Sequence, residues 1–442
     1  MKQGIVSILG LSVALSILSI PTAGQGDDKA EQTPAASPDK LPAEATIIGV
    51  WTAKSVSITS ADGKQKTLHS EERPFNLTVT DKQLTMRVGD KVLGDMAYAL
   101  DAKPDPWTID LKSPAGVMLG ICRQKGEDLD ISLNDETKGR PTDFDKKNGM
   151  VMTLKRFHVR SLFTINADGS DLRRVLTLPD YTNVGSPDWS HDGGRIAFDA
   201  WRSLYGEGFG QVQILMVNAD GTGFKHLGEG AMPSWSPDDK QLTFCSNQTV
   251  GGVWIMDADG SNRRCIAPDG WGSQWSPTRN EIAFSERAGG TNLVIFDVAT
   301  SKRRALLNKA YQQIYWGISW SPDGKWISFK GVLPDGKEEL AAVSTEGEEK
   351  GFKVILPDAM PDVAGYNNTN AWGGDGNQIL VSLAKKDMKQ ERLYLFDFTG
   401  TQPPRLFPGY PEDWGGVDMA WSTDYKKVTF TATPPVAQAT EK

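Results

Sequence analysis

A tryptophan recurs six times in the C-terminal part of the chain, each time just before a short turn and an apolar segment. The copies are Trp189, Trp235, Trp275, Trp320, Trp372 and Trp421. Their separation of about 40 to 52 residues is typical of one four-stranded β-propeller blade per repeat. The repeat therefore predicts six blades, with each tryptophan ending one strand of its blade.

Each repeat predicts four strands, here called a to d in chain order starting from the tryptophan-bearing strand. Strand b alternates as in Ile196-x-Phe198, the pattern of a half-buried strand. Asp-Gly turns join strands c and d, as at 218–221. The chain enters the repeats with strands c and d at 161–178 and leaves with strands a and b at 417–432. These two ends must complete one blade, and such two-plus-two closure leaves no open sheet edge.

The Trp-Ser-Pro-Asp-Gly-Lys motif at 320–325 and the Asp-Gly-Ser-Asn turn at 259–262 carry a resemblance to a known family. With the other repeats, over about residues 160–434, they resemble the propeller repeats of the TolB family. The resemblance implies a six-bladed propeller and no particular activity, because propellers serve binding proteins, lyases and peptidases alike.

Eight short alternating segments between residues 44 and 156 predict a small closed barrel, so the whole chain is expected to be all-β. The Gly-x-Trp motif at 49–51 and the Gly-Arg-Pro-Thr-x-Phe motif at 139–144 resemble a lipocalin-like domain of unknown function found in exported bacterial proteins. The resemblance implies that a late arginine, Arg140, stacks on Trp51. Inward methionines such as Met86 either fill the barrel or line a ligand site.

The N-terminus predicts export. Residues 1–24 have a basic start, an apolar run and small residues before a cleavage point, which indicates a secretory signal peptide. A retained N-terminal anchor is the alternative. Residues 25–43 predict a disordered tether and 435–442 a tail. We expect a mature chain without a membrane span, in the periplasm or secreted, and a net charge of −8 argues against nucleic acid as a partner.

Three cysteines, Cys122, Cys245 and Cys265, are predicted to be buried thiols. The last two are expected on strands b and d of one blade. The strand between them holds them beyond disulfide reach, since two strand spacings measure about 9 to 10 Å.

The two rims of the predicted propeller differ. Short turns join a to b and c to d, whereas the other loops are long and rich in aromatic residues, so we call the two ends the short-turn rim and the long-loop rim. The long loops are 178–187, 199–210, 267–273, 308–317, 330–338, 357–371, 383–391 and 408–418. Binding usually resides on such variable loops. The candidate ligand-binding residues are Trp271, Trp316, Trp414, Tyr181, Arg202, Tyr205, Asn368 and Asp418.

Aromatic rings on these loops would stack on a sugar face or a peptide side chain. The alternative is that Trp271 and Trp316 fill gaps between blades. We therefore predict an exported binding or scaffold protein whose partner is a protein, peptide or glycan.

Enzymatic alternatives lack parts in this sequence. Four histidines are too few for a central metal cluster, and no Gly-x-Ser-x-Gly motif indicates a serine hydrolase. We predict no catalytic residue, metal or cofactor. A carbohydrate-active enzyme, a glycosidase or lyase with carboxylates at the propeller mouth, remains the alternative, with Asp188, Asp199 or Asp418 as the acids.

Overall fold

The computed structural model describes residues 47–434, except 61, 68–73, 90, 115, 146, 148, 179–180, 203–210, 247–250, 287–290, 309–310, 357–362 and 387–390. The predicted signal peptide, tether and tail lie outside the described residues. Strands dominate the described part, together with two short 3-10 turns, Glu136–Lys138 and Glu348–Lys350. No helix in these ranges is long and apolar enough to cross a bilayer.

Nine strands form the N-terminal barrel. They are β1 Gly49–Thr59, β2 Gln65–Thr67, β3 Phe75–Val79, β4 Gln83–Val88, β5 Lys91–Asp101, β6 Trp107–Ser113, β7 Gly116–Lys125, β8 Asp128–Asp135 and β9 Met150–Phe157. Each of the eight predicted segments is a strand, and β2 is an additional short strand beside the end of β1. Because β1 pairs with both β3 and β9, eight strands close on themselves and the predicted barrel is confirmed.

Trp51 lies fully buried at the start of β1, and its indole N–H donates to the Ile47 carbonyl at 2.8 Å. The arginine over its ring is Arg156, with the guanidinium carbon 4.2 Å from the ring centroid. The prediction for Arg140 was therefore wrong. Arg156 is the direct cross-strand partner of Trp51 on β9, whereas Arg140 pairs with Asp110 at 2.7 Å.

The interior of the barrel is occupied by its own side chains. Met86 and Met96 are buried, and Met118 packs against them in the same apolar cluster as Trp51. This packing is that of a barrel filled by protein.

The other strands form six sheets, the blades of the propeller. Blade 1 contains β10 Ser161–Asn166, β11 Arg173–Leu176, β33 Gly415–Trp421 and β34 Lys427–Thr433; blade 2, β12 Asn183–Trp189, β13 Arg195–Trp201, β14 Gln213–Asn218 and β15 Lys225–Glu229; blade 3, β16 Ala231–Trp235, β17 Gln241–Ser246, β18 Gly252–Asp257 and β19 Arg264–Ala267. Blade 4 contains β20 Gly270–Trp275, β21 Glu281–Glu286, β22 Asn292–Asp297 and β23 Arg303–Ala305; blade 5, β24 Gln313–Ile314, β25 Ser319–Trp320, β26 Trp326–Val332, β27 Glu338–Ser344 and β28 Phe352–Leu356; blade 6, β29 Val363–Trp372, β30 Gln378–Lys385, β31 Arg392–Asp397 and β32 Arg405–Leu406.

The propeller closes as predicted, since the sheet order of blade 1 is β11-β10-β34-β33. Both chain ends therefore contribute two strands to one sheet. Each repeated tryptophan ends its strand a, which confirms the register of the repeat. Blade 5 departs from the others, because its strand a is split into β24 and β25 with Trp316 in the interruption.

Glycines in the turns between strands c and d let neighbouring blades approach closely. Gly221 has φ of 87°, and a Cβ there would lie 2.5 Å from the Val175 carbonyl oxygen of blade 1. Gly260 faces Leu227 of blade 2 in the same way. The Asp-Gly sequence thus serves both the turn and the packing of one blade on the next.

The cysteines occupy the predicted strands. Cys245 lies on β17 and Cys265 at the start of β19, with β18 between them, and none of the three forms a disulfide. Cys122 and Cys245 are buried, but Cys265 is only half-buried, which corrects the prediction for that thiol. It lies on the outermost strand of its blade, where one face is not fully covered.

Candidate functional site

Strand a of each blade begins at the long-loop rim, and in five blades it carries a bulge near that end. The pairing with strand b shifts register after Gly185, Ala231, Trp271, Tyr366 and Gly416. Bulged residues leave the ladder of their own sheet. Their N–H groups can therefore bond to a neighbouring blade.

The bulges of blades 3 and 4 bond to the blade before them. Met232 N–H donates to Asp199 Oδ2 at 2.8 Å, and Gly272 N–H donates to Cys245 Sγ at 3.1 Å. Asp199 and Cys245 occupy one repeat position, directly after the buried phenylalanine of strand b. Met232 has φ of 56° and Gly272 of 65°, the left-handed conformation that turns these N–H groups out of their own sheet.

A second set of inter-blade bonds lies at the residue before four of the six repeated tryptophans. Asp188 Oδ2 accepts the Trp235 N–H at 2.7 Å, and Ser234 Oγ accepts the Trp275 N–H at 3.1 Å. Gln274 and Ser319 accept from the next two tryptophans in the same manner. The carboxylate of Asp188 is thus one member of a repeated polar contact that ties strand a of one blade to strand a of the next.

The bulge of blade 2 brings two carboxyl groups together. Ser186 N–H donates to Asp418 Oδ2 at 3.2 Å. A Cβ on Gly185 would lie 2.8 Å from Asp418 Oδ2 and 2.9 Å from Asp199 Oδ1, so both oxygens face this glycine. Only a residue without a side chain fits between them. The pair lies where blade 2 meets the closing blade 1.

Burial perturbs all three acids. Asp199 is 1% exposed, and burial raises its pKa to about 7, opposed by the Met232 N–H and reinforced by the charge of Asp418. Asp418 is 8% exposed, and burial likewise raises its pKa. Asp188 is half-buried, with a pKa raised by burial to about 6. Burial thus raises the pKa of both members of the Asp199–Asp418 pair, which increases the protonated fraction at the seam between blades 1 and 2.

The backbone segments that carry Trp271 and Trp316 meet at the rim. A Cβ on Gly272 would lie 2.5 Å from Trp316 Cα, so the backbone of blade 5 lies directly against the bulge of blade 4. Both tryptophans are partly buried, and each packs one side against the apolar cluster that contains Trp275. The structure thus gives these rings both a packed part and an accessible part.

The other predicted ligand residues are dispersed. Trp414 is 5% exposed and packs on Phe163 with ring centroids 4.6 Å apart, so it belongs to the apolar cluster of blades 1 and 6. Arg202 lies over the Tyr181 ring, with 5.0 Å from its guanidinium carbon to the centroid, and both are partly exposed. Tyr205 lies outside the described residues, as does the side chain of Asn368, whose backbone belongs to β29.

Lys330 is a residue of this region that sequence reasoning missed. It is 5% exposed and follows the strand b phenylalanine of blade 5, the repeat position of Asp199. Its Nζ donates to the Tyr366 carbonyl of blade 6 at 3.0 Å and pairs with Glu338 at 2.8 Å. Here the side chain donates the inter-blade hydrogen bond, whereas Asp199 and Cys245 accept one. Aligning the residue after each strand b phenylalanine would have marked Asp199, Cys245 and Lys330 as one structural position.

The described residues contain no group of three His, Cys, Asp or Glu side chains placed to hold a metal ion. His191 lies in the turn after strand a of blade 2 at the short-turn rim, beside Asp239, and His226 lies on the outer strand β15.

Comparisons with known proteins address the fold. No protein-family model matches the sequence, and a comparison with curated proteins finds no match. Similar solved structures include a putative TolB from Agrobacterium tumefaciens, with 16% identity, a TM-score of 0.49, and coverage of 63% of this chain and 99% of that chain. TolB from Acinetobacter baumannii has 13% identity, a TM-score of 0.44, and coverage of 71% and 79%.

A gluconolactonase from Xanthomonas campestris has 11% identity, a TM-score of 0.42, and coverage of 63% of this chain and 97% of that chain. At such identities a likeness concerns the fold alone. The predicted six-bladed propeller preceded by a barrel is confirmed by the strand order of the sheets.

Proposed function

We propose that the protein is an exported, non-catalytic binding protein whose long-loop rim takes a protein, peptide or glycan. The observation that carries this proposal is that the carboxylates at the propeller mouth are already hydrogen-bonded within the protein. Asp188, Asp199 and Asp418 each accept a backbone N–H from another strand of the ring. A glycosidase needs two carboxyl groups flanking its substrate. Carboxyl groups committed to inter-blade bonds support a structural role.

The rim offers stacking surfaces instead. Trp271 and Trp316 pack against one apolar cluster and keep part of their surface accessible, and Arg202 with Tyr181 forms a second aromatic and cationic platform. Aromatic rings of this kind suit sugar faces and peptide side chains. Tyr205 and the side chain of Asn368 remain in the proposal as sequence predictions alone, whereas Asp418 bonds between blades and Trp414 packs in the core.

An array of glycans and peptides probed with the full chain tests the proposal. For any binder found, Trp271→Ala and Trp316→Ala should each weaken affinity by about 0.5 to 1.5 kcal/mol. Trp326→Ala is the matched control, because Trp326 packs on Phe398 at the start of β26, next to a turn of the short-turn rim. An equal loss of affinity in all three variants, or large destabilisation by the two rim variants with affinity unchanged, would contradict a rim site.

The carbohydrate-active alternative is favoured by one feature, the pair of carboxyl groups at Gly185 with raised pKa values. The 1% exposure of Asp199 opposes it, because a catalytic acid must reach its substrate. Hydrolysis of a panel of aryl glycosides that disappears in Asp199→Asn would establish the enzyme and overturn the binding proposal.

Export to the periplasm or medium is a separate part of the proposal, based on residues 1–24. Intact mass measurement of the protein purified from its native cells tests it. Cleavage after Gly24 predicts a chain that starts at Gln25. A mass that includes Met1 to Gly24 would instead identify a retained N-terminal segment.

A further inference from the structure

A pocket of about 370 Å³ opens between blades 6 and 1 at the short-turn rim. It lies at the opposite end of the ring from the proposed rim site and does not depend on it. Its volume is near the lower end of the range for small-molecule sites, which begins at about 300 Å³. The side chains that carry the argument are those of Trp421, Tyr425, Gln378, Arg405, Asp375 and Asp424.

The one irregular repeat in the sequence accounts for this pocket. After the tryptophan, the other five repeats continue with serine and then histidine, proline or threonine, but blade 6 has Gly373-Gly374. A Cβ on Gly374 would lie 2.4 Å from Tyr425 Cγ, so the Tyr425 ring rests directly on this backbone. The loss of two side chains uncovers the tryptophan of the next blade. Trp421 is partly exposed, whereas the other five repeated tryptophans are between 1% and 5% exposed.

The cover that another blade provides is also missing. Arg195, six residues after Trp189, lies over Trp235 of the next blade with its guanidinium carbon 4.4 Å from the ring centroid. The corresponding residue in blade 6 is Gln378, which places no guanidinium over Trp421. Blade 3 also has a glutamine here, Gln241, and its following Trp275 is 3% exposed, so the exposure of Trp421 follows from Gly373-Gly374. Within the described residues, the side chains of Gln378 and Arg405 form no hydrogen bond or ion pair with other groups.

The polar groups that line the pocket differ in charge and include both hydrogen-bond donors and acceptors. Trp421 Nε1 is buried and has no acceptor in the described residues, a feature shared with Trp189, Trp235 and Trp275, but here the indole lines a cavity. Asp375 accepts the Asn377 N–H at Oδ1, which leaves Oδ2 as an acceptor, whereas Asp424 is engaged by Ser422 and Lys426 of its own turn. The Gln378 amide and the Arg405 guanidinium supply donors. The aromatic rings of Trp421 and Tyr425 thus share the pocket with both donors and acceptors.

We propose that this pocket binds a single sugar ring. The apolar face of a pyranose packs on an aromatic ring, and its hydroxyl groups donate to a carboxylate and accept from amide and guanidinium N–H groups. A hexose has both properties in one ligand of suitable size. The open side of the pocket allows that ring to be the end of a longer glycan.

Saturation-transfer NMR with the full chain and millimolar glucose, galactose or N-acetylglucosamine tests the proposal. At least one sugar should receive saturation on its ring protons. Gln378→Arg, which copies the arginine cover of blade 2, should weaken binding of that sugar roughly tenfold or more. Arg405→Ala, at an exposed side chain, should weaken it several-fold with the melting temperature unchanged.

Gln241→Arg is the matched control, because Gln241 stands six residues after Trp235 in blade 3, where the following tryptophan is 3% exposed. It should leave sugar binding unchanged. Absence of transfer to all three sugars would overturn the proposal. Transfer that persists equally in Gln378→Arg and Arg405→Ala would place the sugar elsewhere, for example on the long-loop rim, and overturn the pocket proposal as well.

Discussion

Replacing Asp199 by asparagine should stabilise the propeller at alkaline pH. The amide oxygen can still accept the Met232 N–H, and the amide N–H₂ can donate toward Asp418 Oδ2 across Gly185. The substitution therefore keeps the inter-blade bond and removes a buried charge. It also puts an N–H group where two ionised carboxylates would otherwise repel each other.

The magnitude follows from the pKa of Asp199, raised from 3.8 to about 7 in the folded chain. Between these values the unfolded carboxyl ionises while the folded one keeps its proton. The stability associated with the protonated group is therefore fully present below pH 3.8 and is lost as the pH rises through about 7. The whole shift corresponds to about 4 kcal/mol, so Asp199→Asn should gain about 2 to 4 kcal/mol at pH 8 and less than about 1 kcal/mol at pH 4.

Equilibrium urea titrations followed by tryptophan fluorescence at pH 4 and pH 8 measure this difference. Only Trp51 and Trp107 of the fourteen tryptophans precede the propeller, so the signal reports mainly on the blades. Asp413→Asn, at an exposed position on the same rim, is the control and should show no such pH-dependent gain. A loss of stability in Asp199→Asn that is equal at both pH values would refute the reasoning, because the carboxylate would then act as a charged acceptor.

Three further predictions follow from the fold. Deleting all residues after Gly416 removes β34 and should abolish cooperative unfolding of the propeller, whereas deleting 436–442 should not; circular dichroism melts distinguish the two. Arg156→Ala should destabilise the barrel by about 1 to 3 kcal/mol through loss of its contact with Trp51, measured by urea unfolding against Arg140→Ala, which should leave the Trp51 emission unchanged. Alkylation of the native protein should modify Cys265 first, and the denatured, unreduced protein should show three modified thiols; a mass with Cys245 crosslinked to Cys265 would contradict the strand order.

The repeat predicted the propeller from sequence because the features that determine each blade are local. The tryptophan, the following turn and the alternating strand b lie within about ten residues of one another, a span over which turn chemistry and alternation specify structure directly. Closure could be deduced as well, since only the order of strands along the chain was needed. The Gly373-Gly374 irregularity is likewise visible in the sequence.

Tertiary structure decided which of several equivalent side chains meet. Arg140 and Arg156 are the same residue type, and only the pairing of β1 with β9 places Arg156 beside Trp51. Asp418 and Ser186 are 232 residues apart and meet because the last strands close the ring against blade 2. Trp414 resembles Trp271 in its Trp-Gly sequence but is buried against Phe163. Contacts between blades depend on how the blades are arranged around the propeller, and local sequence patterns do not specify that arrangement.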